Sequence, residues 1–306
     1  MKKIITLLCF AVAATSLSAQ SLEQRLKSHI EILASEEFKG RESGTAENIM
    51  AATYVRDEFA KIEGFEFLTE NGFQDVTFEV TRGGKRTINS VNVVGMVKAS
   101  KKNTKGKYIT IGAHFDHIGV TDEGLVNYGA DDNASGTAYI IELARRYAEK
   151  SDELDYDILF IAFTGEEMGL KGSRYYAENP LLPLKDCKAM INFDMLGRMT
   201  RNGITVRGLG TSIEAVYLFN SVENKDELEI VWEFRGKGPT DYSSFYAKEI
   251  PAFSFSTRLH KDYHLPTDTA DKINYEGMLF ADNYISQIID KLLSKKVKMT
   301  YKVEYE

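Results

Sequence analysis

Cysteine is almost absent from this chain. Its 306 residues contain only Cys9 and Cys187, and Cys9 falls in an N-terminal segment with the features of a cleaved export signal. One remaining thiol cannot form an intramolecular disulfide bond, so we expect no covalent cross-link in the mature fold. Cys187 has no recognisable nucleophile motif around it, and the chain has no Gly-x-Ser-x-Gly elbow. These absences argue against cysteine and serine hydrolases.

Long apolar runs are also missing. The apolar run at residues 4–14 is too short to cross a bilayer, and it lies between Lys2-Lys3 and small residues that end at Ala19. This layout is typical of a secretory signal peptide. We therefore expect residues 1–20 to be a signal peptide, residues 21–306 to be the mature domain, and the protein to be periplasmic or secreted. No later run predicts a membrane span.

Basic residues are in the minority, with 38 Lys and Arg against 45 Asp and Glu, and the formal net charge is −7. Loss of Lys2 and Lys3 with the signal would change it by two, to −9. A nucleic-acid partner needs a basic face, and the sequence shows none. The chain also lacks internal repeats, low-complexity tracts and a recognisable linker, which favours a single domain.

The spacing of apolar residues predicts the order of helices and strands. Residues 21–62 are predicted to be helical around a glycine-containing loop at 38–45, and alternation over 65–98 predicts strands. Strands and helices then alternate, which implies an α/β fold with a mixed, mostly parallel sheet and helices on both faces. The later predicted strands are residues 108–113, 158–163, 189–193 and 252–255, and the later predicted helices are 135–150, 172–177 and 275–293.

Histidines and carboxylates occur where an α/β sheet binds its ligands, just beyond the carboxyl ends of the strands. Asp194 ends an apolar run, where a buried carboxylate with no partner would cost several kcal/mol. The candidates that follow a predicted strand, or lie in a turn before the next helix, are His114, Asp116, Asp132, Glu166, Glu167, Asp194 and His264.

Each position taken alone has a structural explanation. Asp131, Asp132 and Asn133 fit a helix cap, Glu166 and Glu167 fit a solvated first helical turn, and each histidine fits a satisfied core residue. Their joint placement on one sheet edge favours a metal site instead. Histidines and carboxylates without a thiolate suit a divalent ion, with zinc favoured, and Asp132 in its glycine-flanked turn suits a bridge between two ions. Asp116, two residues after His114, is placed to orient that imidazole.

Five segments carry a family resemblance when they are read together. They are Gly-Ala-His-Phe-Asp-His (112–117), Gly-Ala-Asp-Asp-Asn-Ala-Ser-Gly (129–136), Thr-Gly-Glu-Glu-Met-Gly-Leu-Lys-Gly-Ser (164–173), Asn-Phe-Asp-Met (192–195) and Tyr-His-Leu-Pro-Thr-Asp-Thr (263–269). In this order, and over most of the mature chain, they resemble the co-catalytic zinc aminopeptidases, family 28 of the metallopeptidases. The Gly40-Arg41 and Gly44-Thr45 pairs also resemble exported bacterial members.

The resemblance implies zinc-dependent hydrolysis of peptide bonds, most specifically release of N-terminal amino acids from a peptide substrate. It implies an aminopeptidase-like fold and two zinc ions per chain. Glu166 is implied to be the general base that takes a proton from a metal-bridged water, and Asp116 the support for His114.

The resemblance also implies a ligand role for each matching position. Asp132, the second aspartate of its pair, is implied to bridge the two ions. Glu167 and His264 would complete one zinc site, and His114 and Asp194 the other.

Two departures from the family pattern leave the substrate preference open. Thr240-Asp241-Tyr242 stands where many members have Ser-Asp-His, and Thr257-Arg258 replaces a more usual Thr-Gly. Tyr242 is either a donor to the tetrahedral intermediate or a packed aromatic. Arg258 is either a ligand for a substrate carboxylate or a surface charge.

Two other functions remain as alternatives. A glutaminyl cyclase uses a similar fold with one catalytic zinc, and a binding protein of this fold can lack metal altogether. The Asp-Asp-Asn and Glu-Glu segments look more like the peptidases, and all five ligands are present, so the peptidase is favoured. The preferred side chain, the direction of attack on the peptide and the oligomeric state stay open.

Overall fold

The computed structural model describes residues 20–81, 84–100, 106–199 and 203–303. The predicted signal peptide therefore lies outside the described residues, apart from Gln20. Within these ranges, every helix is too short or too polar to cross a membrane.

Nine strands form one mixed sheet within the described residues. Their order across the sheet is β1, β3, β5, β4, β6, β9, β7 and β8, and β2 pairs with β3 outside this row. The strands are β1 (Phe65–Phe67), β2 (Phe73–Val80), β3 (Arg86–Val97), β4 (Tyr108–His114), β5 (Asp157–Phe163), β6 (Cys187–Phe193), β7 (Ile204–Arg207), β8 (Ile230–Trp232) and β9 (Ala252–Ser256).

The centre of the sheet is parallel. Strands β5, β4, β6 and β9 are parallel neighbours, whereas β3 joins β5 and β7 joins β9 in antiparallel pairs at the flanks. Every residue of β4 and β9 is buried, because helices cover both faces of a parallel sheet and its strands are then mainly apolar. The predicted α/β fold, a mixed and mostly parallel sheet, is confirmed.

Helices pack on both faces of the sheet. α1, α2, α3 and α7 share one large apolar core with one face, and α4 and α6 share a smaller core with the other. The helices are α1 (Leu22–Leu33), α2 (Ala46–Ala60), α3 (Gly136–Glu149), α4 (Lys171–Glu178), α5 (Ala215–Asn220), α6 (Tyr242–Tyr246) and α7 (Tyr275–Leu292).

The parallel centre brings the candidate site together. His114, the last residue of β4, pairs with Phe163, the last residue of β5, and Gly112 of β4 pairs with Asn192 near the end of β6. The carboxyl ends of these three strands therefore meet at one edge. The loops that leave them carry the predicted site residues except His114, which ends β4, and His264, which follows β9.

Candidate metal centre

Asp132 lies at the centre of the site. Its Oδ1 is 3.4 Å from Nε2 of His114, and its Oδ2 is 3.0 Å from Nε2 of His264. The side chain is only 4 % exposed. One carboxylate thus presents its two oxygens to two separate imidazoles, which is the placement that a bridging ligand requires.

The first cluster is built on the end of β4. Nε2 of His114 lies 3.4 Å from Oδ1 of Asp194, which follows β6. A carboxylate oxygen of Glu166 lies within 4.8 Å of ligand atoms from both residues. Three separate strand ends therefore deliver one imidazole and two carboxylates to one point.

The second cluster forms on the other side of Asp132. Oε2 of Glu167 is 3.1 Å from Nε2 of His264, whose side chain is 34 % exposed and lies at the rim of the site. His264 has a φ of +56°, an uncommon backbone conformation for a residue with a side chain. His117 completes this cluster, with Nδ1 2.8 Å from Oε1 of Glu167. The structure thus brings together all five predicted ligands.

The geometry fits a divalent ion better than a network of hydrogen bonds. Among the described residues, neither Oδ1 of Asp194 nor Nε2 of His264 has a hydrogen-bond partner, although ionisable neighbours lie within 3.4 Å. Imidazole nitrogens and carboxylate oxygens without a thiolate suit zinc.

Burial and neighbouring charges shift the pKa values of the carboxylates in the site. Burial alone would raise the pKa of Asp132, but the imidazoles of His114 and His264 outweigh it and hold this pKa well below its usual range. Burial, with a smaller contribution from Asp194, raises the pKa of Glu166 well above its ordinary value. A carboxylate with a raised pKa suits a group that takes up a proton and later returns it.

The turn that carries Asp132 is held by hydrogen bonds to its main chain. Oδ2 of Asp268 accepts from the amides of Asp131 and Asp132, at 2.9 and 3.1 Å. Oδ1 of Asn133 accepts from the amide of Gly136, the first residue of α3, at 2.9 Å. Asn133 therefore supplies a hydrogen bond to the start of the helix, whereas the carboxylate of Asp132 faces the imidazoles.

Asp116 connects the His114 side of the site to Glu166. The main-chain oxygen of Asp116 lies 3.1 Å from Nδ1 of His114, and its Oδ1 lies 3.7 Å from the same atom. Its carboxylate accepts from the amide of Glu166 at 3.2 Å and from Oγ of Ser43 at 3.1 Å. Because β4 ends at His114 and the chain then turns, the carbonyl, more than the carboxylate, contacts the imidazole.

Arg41 is a fully buried cation beneath the site. Its guanidinium has five N–H groups, and each has a main-chain oxygen within reach. The acceptors, at 2.6–3.4 Å, are the carbonyl oxygens of Leu33, Phe115, Tyr128, Gly129 and Asp132.

Three supporting residues were not assigned from the sequence. His117 and Asp268 both stand inside the quoted motifs, so their positions were visible but their roles were not. His260 lies outside the motifs, with Nε2 3.1 Å from Oδ2 of Asp131. For His117 and Asp268, the sequence feature that could have indicated a role is the high number of histidines and carboxylates in the motifs that contain them.

The structure favours a structural explanation for the two departures from the family pattern, Tyr242 and Arg258. Tyr242 is buried, and its hydroxyl donates to the main-chain oxygen of Arg235 at 3.0 Å. Arg258 is 57 % exposed and lies 3.0 Å from Glu229 on the surface. Tyr242 is therefore a packed aromatic, and Arg258 is a paired surface charge.

A parallel-centred α/β sheet with a cluster of histidines and carboxylates at its carboxyl edge is typical of zinc peptidases. The model of peptidase family M28 matches residues 92–289. The chain belongs to this family.

Individual relatives agree with this assignment. Aminopeptidase YwaD of Bacillus subtilis is 27 % identical over 220 residues, which cover 68 % of this chain and 46 % of that protein. The chain thus spans about half the length of this relative. The solved aminopeptidase of Aneurinibacillus sp. strain AM-1 is 20 % identical with a TM-score of 0.69, and the match covers 92 % of this chain and 97 % of that one.

A solved glutaminyl cyclase shares the fold as well. The enzyme of Porphyromonas gingivalis is 16 % identical with a TM-score of 0.67, and the match covers 91 % of this chain and all of that one. At these identities, the structural matches show the fold alone, and the choice between activities rests on the site.

Proposed function

We propose that the protein is a zinc-dependent hydrolase of peptide bonds, and specifically an aminopeptidase that holds two zinc ions per chain. The observation that carries this proposal is the position of Asp132, with one oxygen beside His114 and the other beside His264. Membership of family M28 and the name of the Bacillus subtilis relative support it.

Five residues would hold the ions: His114 and Asp194 on one side, Glu167 and His264 on the other, and Asp132 between them. Bound zinc would supply Lewis acidity, which makes water more acidic and polarises a carbonyl group. The protein keeps these ligands buried or at the rim of a cleft, and it fixes the turn of Asp132 through Arg41 and Asp268.

Glu166 would move the proton. In the proposed reaction, its carboxylate takes a proton from the attacking water as the oxygen bonds to the carbonyl carbon. The carbon–nitrogen bond then breaks, and Glu166 returns the proton to the leaving amine. The hydrogen bond from its amide to Asp116 fixes the backbone at this position.

A cleft of about 630 Å³ beside the ligands is the proposed substrate site. Its volume is in the range of small-ligand pockets. A larger open groove of about 1570 Å³ elsewhere is lined by none of the candidate ligands. The smaller cleft is lined by His117, Glu167 and His264 from the site, the apolar side chains of Val80, Ile118 and Met168, Thr81, and the charged Glu42, Glu79, Arg86 and Lys171.

A panel of substrates tests the proposed activity. Aminoacyl chromogenic substrates and free peptides should be cleaved from the N-terminus, a chelator should abolish cleavage, and added zinc should restore it. Metal analysis of the active protein should give two zinc ions per chain. A protein that holds zinc but cyclises N-terminal glutamine, or removes C-terminal residues, would contradict the aminopeptidase assignment. Failure to retain zinc would contradict the metal centre itself.

We also propose that the protein is exported. The support is the sequence pattern of residues 1–20, in which a basic start and a short apolar run precede small residues. Protein purified from the periplasm or medium should begin close to Ser21, as mass spectrometry of the intact chain would show. Retention of Lys2 and Lys3 in the mature protein would contradict this.

A further inference from the structure

His117 is a third histidine in the metal centre, and the proposed mechanism leaves it without a role. Its side chain is fully buried, with Nδ1 2.8 Å from Oε1 of Glu167 and 3.8 Å from Oδ2 of Asp132. Its ring meets that of His264 edge to face, with centroids 5.6 Å apart. Nε2 has no hydrogen-bond partner among the described residues.

The fold makes room for this imidazole. Gly129 begins the turn of Asp132 with a φ of +57°, and a Cβ atom added there would lie 2.5 Å from Cδ2 of His117. A side chain at this position would displace the ring. The imidazole therefore packs directly on the turn that carries the bridging carboxylate.

The two ring nitrogens decide between two roles. If Nδ1 were a direct metal ligand, the proton would sit on Nε2, which would be a buried N–H without a partner. If Nδ1 carries the proton, it donates to Oε1 of Glu167 at a normal hydrogen-bond distance, and Nε2 is only an unpaired acceptor. Among buried backbone groups, N–H donors without a partner are rarer than C=O acceptors without one, and the same preference applied to the imidazole favours the proton on Nδ1.

Glu167 has different partners for its two oxygens. Oε1 faces His117 at 2.8 Å, whereas Oε2 lies 3.1 Å from Nε2 of His264. A hydrogen bond at Oε1 fixes the rotation of the carboxylate, and it leaves Oε2 on the side of the other ligands. Hydrogen bonds of this kind to a metal-binding carboxylate commonly orient it and strengthen metal binding.

We propose that His117 is a positioning residue, whose Nδ1–H donates to Oε1 of Glu167 and so presents Oε2 to the ion beside His264. This inference rests on the proposed metal centre. It goes beyond that proposal because it assigns a metal-affinity role to a side chain that is not itself a ligand.

Zinc affinity of the purified full chain tests the inference, by competition with a chromophoric chelator. His117→Ala should weaken one of two zinc sites about 10- to 100-fold. His117→Asn should bind zinc nearly as well as the wild type, because its amide N–H stands close to the place of Nδ1. As a matched control, His29→Ala removes a buried histidine that contacts Glu142 in another part of the fold, and it should leave zinc affinity unchanged.

X-ray absorption of the zinc-loaded wild type gives a second readout, which does not depend on how the variants fold. It should count one imidazole per zinc on average, from His114 and His264. Three imidazoles per two zinc ions, together with equal losses in His117→Asn and His117→Ala, would show a direct ligand and overturn the inference. Unchanged affinity in His117→Ala would overturn it too. A wild type that binds no zinc would instead contradict the proposed metal centre.

Discussion

Glu166→Gln is expected to lower kcat by about 10²- to 10⁴-fold, the range over which general acid–base groups contribute. The amide keeps the size and the hydrogen-bonding reach of the side chain, but it cannot take up a proton at neutral pH. Because the five proposed ligands stay in place, zinc content should not change. Steady-state kinetics on the best aminoacyl substrate, with metal analysis of the same sample, measures both quantities.

Two control variants distinguish loss of the general base from loss of a metal ligand and from loss of a surface carboxylate. Glu167→Gln removes a proposed ligand from the adjacent position, so it should lose zinc affinity as well as activity. Glu178→Gln alters an exposed carboxylate in α4 and should change neither. If Glu166→Gln kept a large part of the wild-type kcat, or lost zinc as Glu167→Gln does, the assignment of the general base would be wrong.

The sequence predicted the central fold well because burial on both faces leaves a strong pattern. The strands that form the parallel centre were predicted within two residues of their observed ends, since each is a mostly buried and mainly apolar segment. Strands β7 and β8 were not predicted. They are four and three residues long, and all three residues of β8 are only partly buried. Strands this short take their conformation from their neighbours, and no local pattern specifies them.

The position of the proposed ligands was predictable from the sequence, and that of the supporting residues was less so. His114, Glu167 and Asp194 lie together as expected, because each stands at or just after the end of a strand and the strand ends share one edge of the sheet. The role of Asp268 depends on a turn 137 residues earlier in the chain. Position in a sequence does not show such a contact, because it forms only when the last loop folds over the sheet.

The role of Arg41 also depends on contacts between distant parts of the chain. The sequence therefore did not indicate it, although the Gly40-Arg41 pair was noted. Burial lowers the pKa of Arg41 to about 10, and Asp132 and Asp116 oppose this change. The group therefore stays charged at neutral pH. The guanidinium of Arg41 donates to main-chain carbonyls and not to a carboxylate. No sequence pattern distinguishes a buried arginine of this kind from one on the surface.

Arg41→Met is accordingly expected to lower the free energy of unfolding by more than about 3 kcal/mol, because several buried carbonyls lose their donors at about 1–3 kcal/mol each. Arg41→Lys should be intermediate, since an ammonium group offers three N–H donors and cannot reproduce the planar guanidinium. Urea unfolding of the zinc-loaded chain at neutral pH measures the loss in each variant.

Arg86→Met is the matched control for this experiment. Arg86 is 56 % exposed and pairs only loosely with Glu42, at 3.3 Å, so its loss should change stability by no more than about 0.5 kcal/mol. A small effect of Arg41→Met, similar to that of Arg86→Met, would show that water replaces the guanidinium at these carbonyls. A large effect would show that one side chain joins the end of α1 to the loops that carry His114 and Asp132. The stability of the domain and the geometry of its proposed metal ligands would then depend on the same five hydrogen bonds.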